Sequence, residues 1–163
     1  MASAPVAVKR WRVSQLGRLA SVAVCLLFWT LGVFLLSEGA HTSDRITGGV
    51  FLVVAPIAVW LFAFRPFVAL GTDQVVVQNP WRGLTIPLGA VLGAHGGYGG
   101  LSLNVRGLRR PVTAWAVQKA NWSTWRGRET RADRVAAAIM AAAYANGVEP
   151  VTYEERPPGR HAM

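Results

Sequence analysis

The sequence predicts an α-helical transmembrane hairpin, followed by a small mainly-β domain that is capped by one C-terminal α-helix. Two long apolar runs occupy the first half of the chain, at residues 19–36 and 46–64. Short segments punctuated by Gly, Pro and Asn begin at residue 65, and helical periodicity appears at residues 131–146. The predicted organisation is a basic cytoplasmic N-terminus at 1–18, the hairpin at 19–64, the β domain at 65–147 and a flexible tail at 148–163.

Both apolar runs lack ionisable side chains apart from Cys25. At about 1.5 Å per residue, helices of this length reach close to the ~30 Å thickness of a bilayer's hydrocarbon core. Two core helices of a soluble domain are the alternative, but the rest of the chain is too short to cover helices that are apolar on every face. A cleaved signal peptide is another alternative for the first run. Its apolar core exceeds the ~7–15 residues typical of such peptides, which favours an uncleaved anchor.

The flanking charges predict the orientation of the hairpin. Four basic residues precede the first span, whereas the connecting loop at residues 37–45 carries two acids and one arginine. Because Lys and Arg resist translocation, both termini are predicted to be cytoplasmic, with the two spans in the inner (plasma) membrane. The net charge of +9, from 17 basic and 8 acidic residues, fits basic groups kept beside anionic lipid. The lipid bilayer is therefore a predicted partner, and nucleic acid is not.

The segments after residue 65 have the length and punctuation of antiparallel strands. Strands are predicted at residues 67–70, 74–79, 84–87, 90–94, 101–105 and 111–116. Leu101, Leu103 and Val105 alternate with polar residues, so we expect them to face one side of the sheet. The glycine-rich stretch at 93–100 is interpreted as a flexible turn. A phosphate-binding loop is disfavoured because no helix begins after it.

A helix is predicted from Arg131 to about Asn146. Thr130 followed by Asp133 has the spacing of a helix N-cap, and Gly147 is a plausible C-terminal stop. Apolar residues recur at three- and four-residue spacing and form a stripe that we expect to pack on the sheet. They are Ala132, Val135, Ile139, Met140 and Ala143.

A series of short antiparallel strands closed by one amphipathic helix resembles the pleckstrin-homology-like (PH-like) domains. Short motifs strengthen this resemblance: Arg65-Pro66, Asn79-Pro80, Ile86-Pro87 and the segment 114–118. They are similar to motifs of bacterial membrane proteins of the low-molecular-weight protein antigen type. In that family a two-helix membrane hairpin precedes a cytoplasmic PH-like domain. The resemblance therefore implies a PH-like barrel or sandwich and a membrane-anchored interaction module. Leu88 departs from the family, which usually has an aromatic residue there.

No residues have the spacing of a catalytic or metal site. His41, His95 and His161 fall in the connecting loop, the glycine-rich stretch and the tail, without partners for a metal cluster or a triad. We therefore predict no enzyme activity, no catalytic residues, no metal and no cofactor. The turn at 71–73, taken as the connection between the first two strands, is short and carries Asp73. No phosphoinositide pocket is expected on that basis.

The best predicted contact surface is the segment 119–128. Its candidate residues are Lys119, Trp122, Trp125, Arg126 and Arg128. Trp and Arg are enriched where binding energy concentrates, so this segment could contact lipid or a protein. Alternatively, the tryptophans cover the open end of the sheet and the arginines are only solvated.

Two functions stay open. The first is a module that presents its β domain at the cytoplasmic face to a protein partner or an anionic lipid surface. The second is an accessory or structural subunit of a membrane complex that assembles through the hairpin. Gly32 and the pair Gly48-Gly49 permit close helix approach without forming a complete small-residue motif.

Overall fold

The computed structural model describes residues 9–37, 41–97, 100–117 and 129–148. Within these ranges the strands are β1 (Lys9–Arg12), β2 (Phe67–Leu70), β3 (Gln74–Gln78), β4 (Gly83–Pro87), β5 (Val91–Gly97), β6 (Gly100–Val105) and β7 (Val112–Ala114). The helices are α1 (Gln15–Leu35), α2 (Thr42–Val59) with a π-helical extension at Trp60–Phe64, and α3 (Arg131–Ala145). A 3₁₀ turn covers Leu88–Ala90. The predicted layout of two apolar helices, a mainly-β region and a C-terminal helix is confirmed.

By length and composition, α1 and the extended α2 could each cross a membrane. Only 6% of the most apolar window of α1, and 11% of that of α2, is buried in the structure. The core helix of a soluble domain would be mostly covered, so the structure does not favour that alternative. Both helices begin about one turn earlier than predicted. Ser14 caps α1 by accepting the Gly17 N–H at 3.1 Å, and the Asp44 carboxylate accepts the His41 N–H at 3.3 Å before α2.

Two glycines bring α1 and α2 into backbone contact. Gly32 and Gly48 are both buried, and a Cβ atom added to Gly48 would lie 2.7 Å from the carbonyl oxygen of Gly32. The reverse addition at Gly32 would place a Cβ 3.0 Å from the Gly48 oxygen. Neighbouring Gly49 has nothing within 4 Å of such an atom. Small residues therefore set the helix separation at one specific crossing.

A second contact between the helices compensates for a proline. Pro56 lies inside α2 and has no N–H to donate to the carbonyl of Leu52, one turn earlier. The indole Nε1 of Trp29 on α1 donates to this carbonyl at 3.0 Å. Phe28 and Phe51 add an edge-on ring contact with centroids 5.2 Å apart. The hairpin is thus held by a glycine crossing, an interhelical hydrogen bond and an aromatic pair.

Strands β1 to β4 form an antiparallel sheet in sequence order. β1 pairs with β2 so that Lys9 lies opposite Leu70 and Arg12 opposite Phe67. Lys9–Arg12, inside the predicted basic N-terminus at 1–18, therefore forms a strand that the sequence does not predict. These charged residues make β1 a solvated edge strand. Because β1 precedes α1 and β2 follows α2, the helical hairpin is inserted between two adjacent strands, and both of its ends meet at the β domain.

Strands β5 to β7 form a second antiparallel sheet. β5 extends through Gly97, so residues 93–94 belong to the predicted strand and the prediction of a flexible turn is wrong for residues 95–97 as well. Packing requires a glycine at position 96. A Cβ atom there would collide with the carboxylate of Asp133 at the start of α3. The glycine-rich composition therefore allows α3 to approach the strand closely, rather than making the segment a turn.

α3 packs mainly on β5 and β6, and its buried residues join the core that both sheets share. Thr130 Oγ1 accepts the Asp133 N–H at 3.3 Å, and the Asp133 carboxylate accepts the Thr130 N–H at 2.9 Å, which confirms the predicted cap. Gly147 has a φ of +81° at the predicted helix stop. The predicted stripe is confirmed, with Met140 partly buried and Ala136 as an additional member; its buried residues are Ala132, Val135, Ala136, Ile139 and Ala143. Leu101, Leu103 and Val105 face the same core, as their alternation predicts.

Candidate interaction surface

The end of α2 is fixed to the β domain by an aromatic contact, here called the aromatic junction (Phe62, Trp81 and Trp115). The Phe62 ring lies edge-on against Trp81, with centroids 5.5 Å apart, and tilted against Trp115 at 5.4 Å. Beside it, Arg65 Nη1 donates to the carbonyl of Pro80 at 2.7 Å. Each aromatic pair of this kind adds about 0.5–1.5 kcal/mol beyond the area that it buries. The β domain is therefore held in one orientation relative to the helices.

Asn79 connects the two sheets next to this junction. Its Nδ2 donates to the carbonyl of Thr113 and its Oδ1 accepts the N–H of Trp115, both at 2.8 Å. The Asn79 N–H itself donates to the carbonyl of Arg82 and closes the turn between β3 and β4. An amide side chain supplies the donor and the acceptor that this position needs, which neither Asp nor Leu could do. Asn79 thereby fixes the β3–β4 turn against β7.

A groove opens beside Asn79, between the β3–β4 turn and the β6–β7 turn. We call it the basic groove (Arg82, Leu84, Leu108–Thr113). Arg82, Arg109 and Arg110 are exposed, whereas Leu84 and Val112 are partly buried and pack against the core. No acidic side chain is among the described residues that line it. Guanidinium groups over an apolar floor suit an anionic, partly apolar ligand such as an acidic peptide segment.

Exposed tryptophans lie around the point where the helices join the domain. Trp81 is 71% exposed, Trp60 57% and Trp115 42%. Arg65 places its guanidinium 5.8 Å from the centre of the Trp60 ring. Amphipathic rings beside cations are typical of protein surfaces at the level of lipid headgroups.

The predicted surface falls outside the residues that the structure describes. Lys119, Trp122, Trp125, Arg126 and Arg128 all belong to the segment 118–128, so their contact role stays a prediction. Sequence reasoning missed the basic groove and the aromatic junction. Arg82 and the pair Arg109-Arg110 lie in two turns that are distant in the sequence, and only the fold brings them to one groove.

The structure corrects one premise about lipid recognition. The turn at 71–73 joins β2 to β3, with the Gly71 N–H donating to Gln74 at 2.8 Å. It does not join the first two strands, because β1 lies before the hairpin. The short turn at 71–73 therefore no longer argues against a phosphoinositide pocket. That no such pocket exists stays a prediction. Within the described ranges, no group of three or more His, Cys, Asp or Glu side chains is placed to hold a metal ion.

No protein-family model, curated protein or solved structure matches this chain. The resemblance to bacterial PH-like membrane proteins accordingly rests on the motifs and on the order of the structural elements.

Proposed function

We propose that this protein is a membrane-anchored, non-enzymatic interaction module of the inner membrane. Its PH-like β domain lies against the cytoplasmic face and presents the basic groove to an acidic segment of a protein partner. One observation carries the proposal: the domain is fixed to the hairpin through both β1 and the aromatic junction. A domain on a flexible tether would need neither contact. A fixed domain instead keeps the groove at a defined height and direction above the bilayer.

The arrangement of the sheets supports the PH-like part of the proposal. Apart from β1, which precedes the hairpin, the order of hairpin, antiparallel strands in two sheets and one C-terminal helix is the order that the resemblance implies. In this chain the hairpin replaces the connection between the first and second strands. The β domain would then be an anchored PH-like unit whose first inter-strand loop has become the membrane anchor.

Charge and aromatic placement support the orientation. Arg12 and Arg65 flank the hairpin at the end that carries the β domain, whereas Asp44 and Arg45 lie at the opposite end. The bias of basic residues toward the domain end favours the cytoplasm for that end. The exposed Trp60 and Trp81 would then lie at the headgroup level of the inner leaflet.

Labelling of single cysteines tests the orientation. In a Cys25→Ser background, Ser43→Cys and Thr72→Cys place exposed thiols at opposite ends of the molecule. In intact cells an impermeant maleimide should label only position 43, and position 72 should react only after lysis. Labelling of position 72 in intact cells would overturn the cytoplasmic assignment.

Crosslinking from the groove tests the function. A photoreactive residue at Leu108, which is half exposed in the groove, should capture a partner in native membranes with the full-length chain. The pair Arg109→Gln and Arg110→Gln should weaken capture about five- to thirtyfold, as two exposed charge contacts of about 0.5–1 kcal/mol each would give. Arg106→Gln, exposed but outside the groove, is the matched control. A crosslinking yield that changes neither with the two arginine substitutions nor with added salt would contradict the proposal.

The same experiment distinguishes the alternative, a subunit that assembles through its hairpin. Gly32 and Gly48 already contact each other within the hairpin, so neither is free for another helix. A photoreactive residue at Val53, exposed on α2, should therefore capture mostly lipid. Protein crosslinks from Val53 with none from Leu108 would favour the subunit function instead.

A further inference from the structure

The two sheets have four edge strands, β1 and β4 in the first and β5 and β7 in the second. Edge strands expose unpaired backbone groups, which pair readily with another chain unless something protects them. β1 carries three charged residues in four, and β5 lies against α3. At β7, the Asn79 side chain already bonds the Thr113 carbonyl and the Trp115 N–H. β4 contains no charged residue and has none of these protections among the described residues, so it is the edge open to another chain.

Pairing with β3 uses only alternate residues of β4. Just beyond β4, the Leu88 N–H donates to the carbonyl of Asp73 at 2.8 Å, and this bond sets the phase of the ladder. Because hydrogen-bonded pairs alternate in an antiparallel ladder, the N–H and carbonyl of Leu84 point toward β3. Those of Gly83 and Thr85, on either side, point to the open edge. β4 therefore offers two N–H donors and their carbonyls to a further strand.

The open edge begins at the basic groove and is short. Gly83, Thr85 and Pro87 are exposed, whereas Ile86 is buried. Leu84, between the two residues that point outward, lines the groove. Pro87 has no N–H to donate, which ends the edge on the side away from the groove. A strand that pairs here would therefore lie partly within the basic groove.

The side chains around this edge indicate which strand would bind. Because the sheet is antiparallel throughout, a further antiparallel strand would run from beside Pro87 toward Gly83. Its side chain opposite Leu84 would lie on the same face, which favours an apolar residue there. Beyond Gly83 the strand would pass the exposed guanidinium groups of the basic groove, Arg82, Arg109 and Arg110. These cations favour carboxylates at the C-terminal end of the added strand.

We propose that the β4 edge binds an extended segment of a protein partner as an antiparallel fifth strand, with apolar residues facing Leu84 and carboxylates facing the arginines of the basic groove. Main-chain bonds to Gly83 and Thr85 would supply affinity, and the side chains would supply specificity. This inference specifies how the groove recognises its partner, and it rests on the proposed function.

Residue-resolved hydrogen exchange of the full-length protein in detergent tests the pairing. The probe is an acetylated, amidated peptide in which valine and threonine alternate and two glutamates follow. Binding should slow exchange of the Gly83 and Thr85 amides and leave the amides of β1, the charged edge, unchanged. A control peptide with lysines in place of the glutamates should bind at least about tenfold more weakly.

N-methylated peptides distinguish strand pairing from contacts of side chains alone. If the valines face Leu84, the threonines lie opposite Gly83 and Thr85 and carry the hydrogen bonds to β4. N-methylation of the threonines should therefore abolish binding, whereas N-methylation of the valines should leave it unchanged. These peptides are tested on the wild-type protein, so the result does not depend on the folding of a variant.

Substitutions at Thr85 test the same bond from the protein side. Thr85→Pro removes an outward N–H without removing a bond to β3, and it should weaken peptide binding about five- to thirtyfold. Thr85→Val changes the side chain but keeps the N–H, and it should bind the peptide as the wild type does.

Several results would overturn the proposal. They are no binding of the unmodified peptide, equal binding of the two N-methylated peptides, and binding without new protection at Gly83 and Thr85. Protection of these amides before peptide is added would show that the edge is already occupied, by a second copy if dilution removes the protection and by another segment of the chain if it does not. Failure of the proposed function is a different result, namely crosslinking from Leu108 that does not respond to the substitutions of Arg109 and Arg110.

Discussion

Replacing Trp29 tests whether its side chain on α1 supplies the hydrogen bond that Pro56 cannot give to the Leu52 carbonyl in α2. The Trp29→Phe variant keeps an aromatic ring but removes the indole N–H that donates to Leu52. Because Pro56 cannot donate to the same carbonyl, the variant leaves that oxygen unpaired. Interhelical hydrogen bonds in membrane proteins contribute about 0.6–2 kcal/mol, and an unpaired carbonyl costs about 1–3 kcal/mol. We expect Trp29→Phe to destabilise the hairpin locally by about 1–2 kcal/mol.

A second substitution distinguishes this hydrogen bond from ring packing. Pro56→Ala supplies an N–H that can bond to Leu52 within α2, so Trp29→Phe should cost much less in that background. The coupling between the two positions should be at least about 0.5 kcal/mol. Trp60→Phe is the matched control, since Trp60 is also exposed and its side chain makes no hydrogen bond among the described residues.

Hydrogen exchange of the α2 amides, in detergent or lipid, measures the local opening free energy. Trp29→Phe should speed exchange around residues 52–58 by about five- to thirtyfold, which corresponds to about 1–2 kcal/mol. Trp60→Phe should leave this region unchanged. If Trp29→Phe costs the same with proline and with alanine at position 56, the indole acts only by packing, and the compensation argument is wrong.

Three further predictions concern single contacts, each measured by thermal unfolding of the full-length protein. Gly48→Ala should destabilise the hairpin by about 1–3 kcal/mol, because its Cβ would meet the Gly32 backbone, whereas Gly49→Ala should have no such effect. Asn79→Ala should cost about 1–3 kcal/mol by leaving the Trp115 N–H and a β7 carbonyl without partners, and an unchanged unfolding temperature would show that water replaces the amide. Thr130→Ala should cost about 1 kcal/mol and speed exchange at the first turn of α3, whereas Thr130→Ser should restore both.

The elements that the sequence predicts well depend on local signals. β2, β3 and β6 have alternating or β-branched segments between turn residues, and α3 has a cap, an apolar stripe and a terminal glycine. Each signal lies within the element that it specifies. The predicted bounds accordingly differ from the structure by one or two residues.

The elements that the sequence does not predict depend on distant partners. β1 has three charged residues in four, and its partner β2 lies beyond the whole hairpin. The end of β5 at residues 95–97 is stabilised by pairing with β6 and by the close approach of α3 at Gly96, which composition cannot show. The basic groove combines two turns that are separated in the chain. The aromatic junction likewise joins a helix end to two different turns.

The pairing of β1 with β2 has a consequence for biogenesis. These strands are synthesised before and after the two apolar helices, so β1 can join the sheet only after the whole hairpin has been made. If the hairpin spans a membrane, as proposed, the pair forms only when both ends of the hairpin are on the same side. A chain with one helix inserted would leave the β2 edge without its partner strand, and such edges are templates for aggregation.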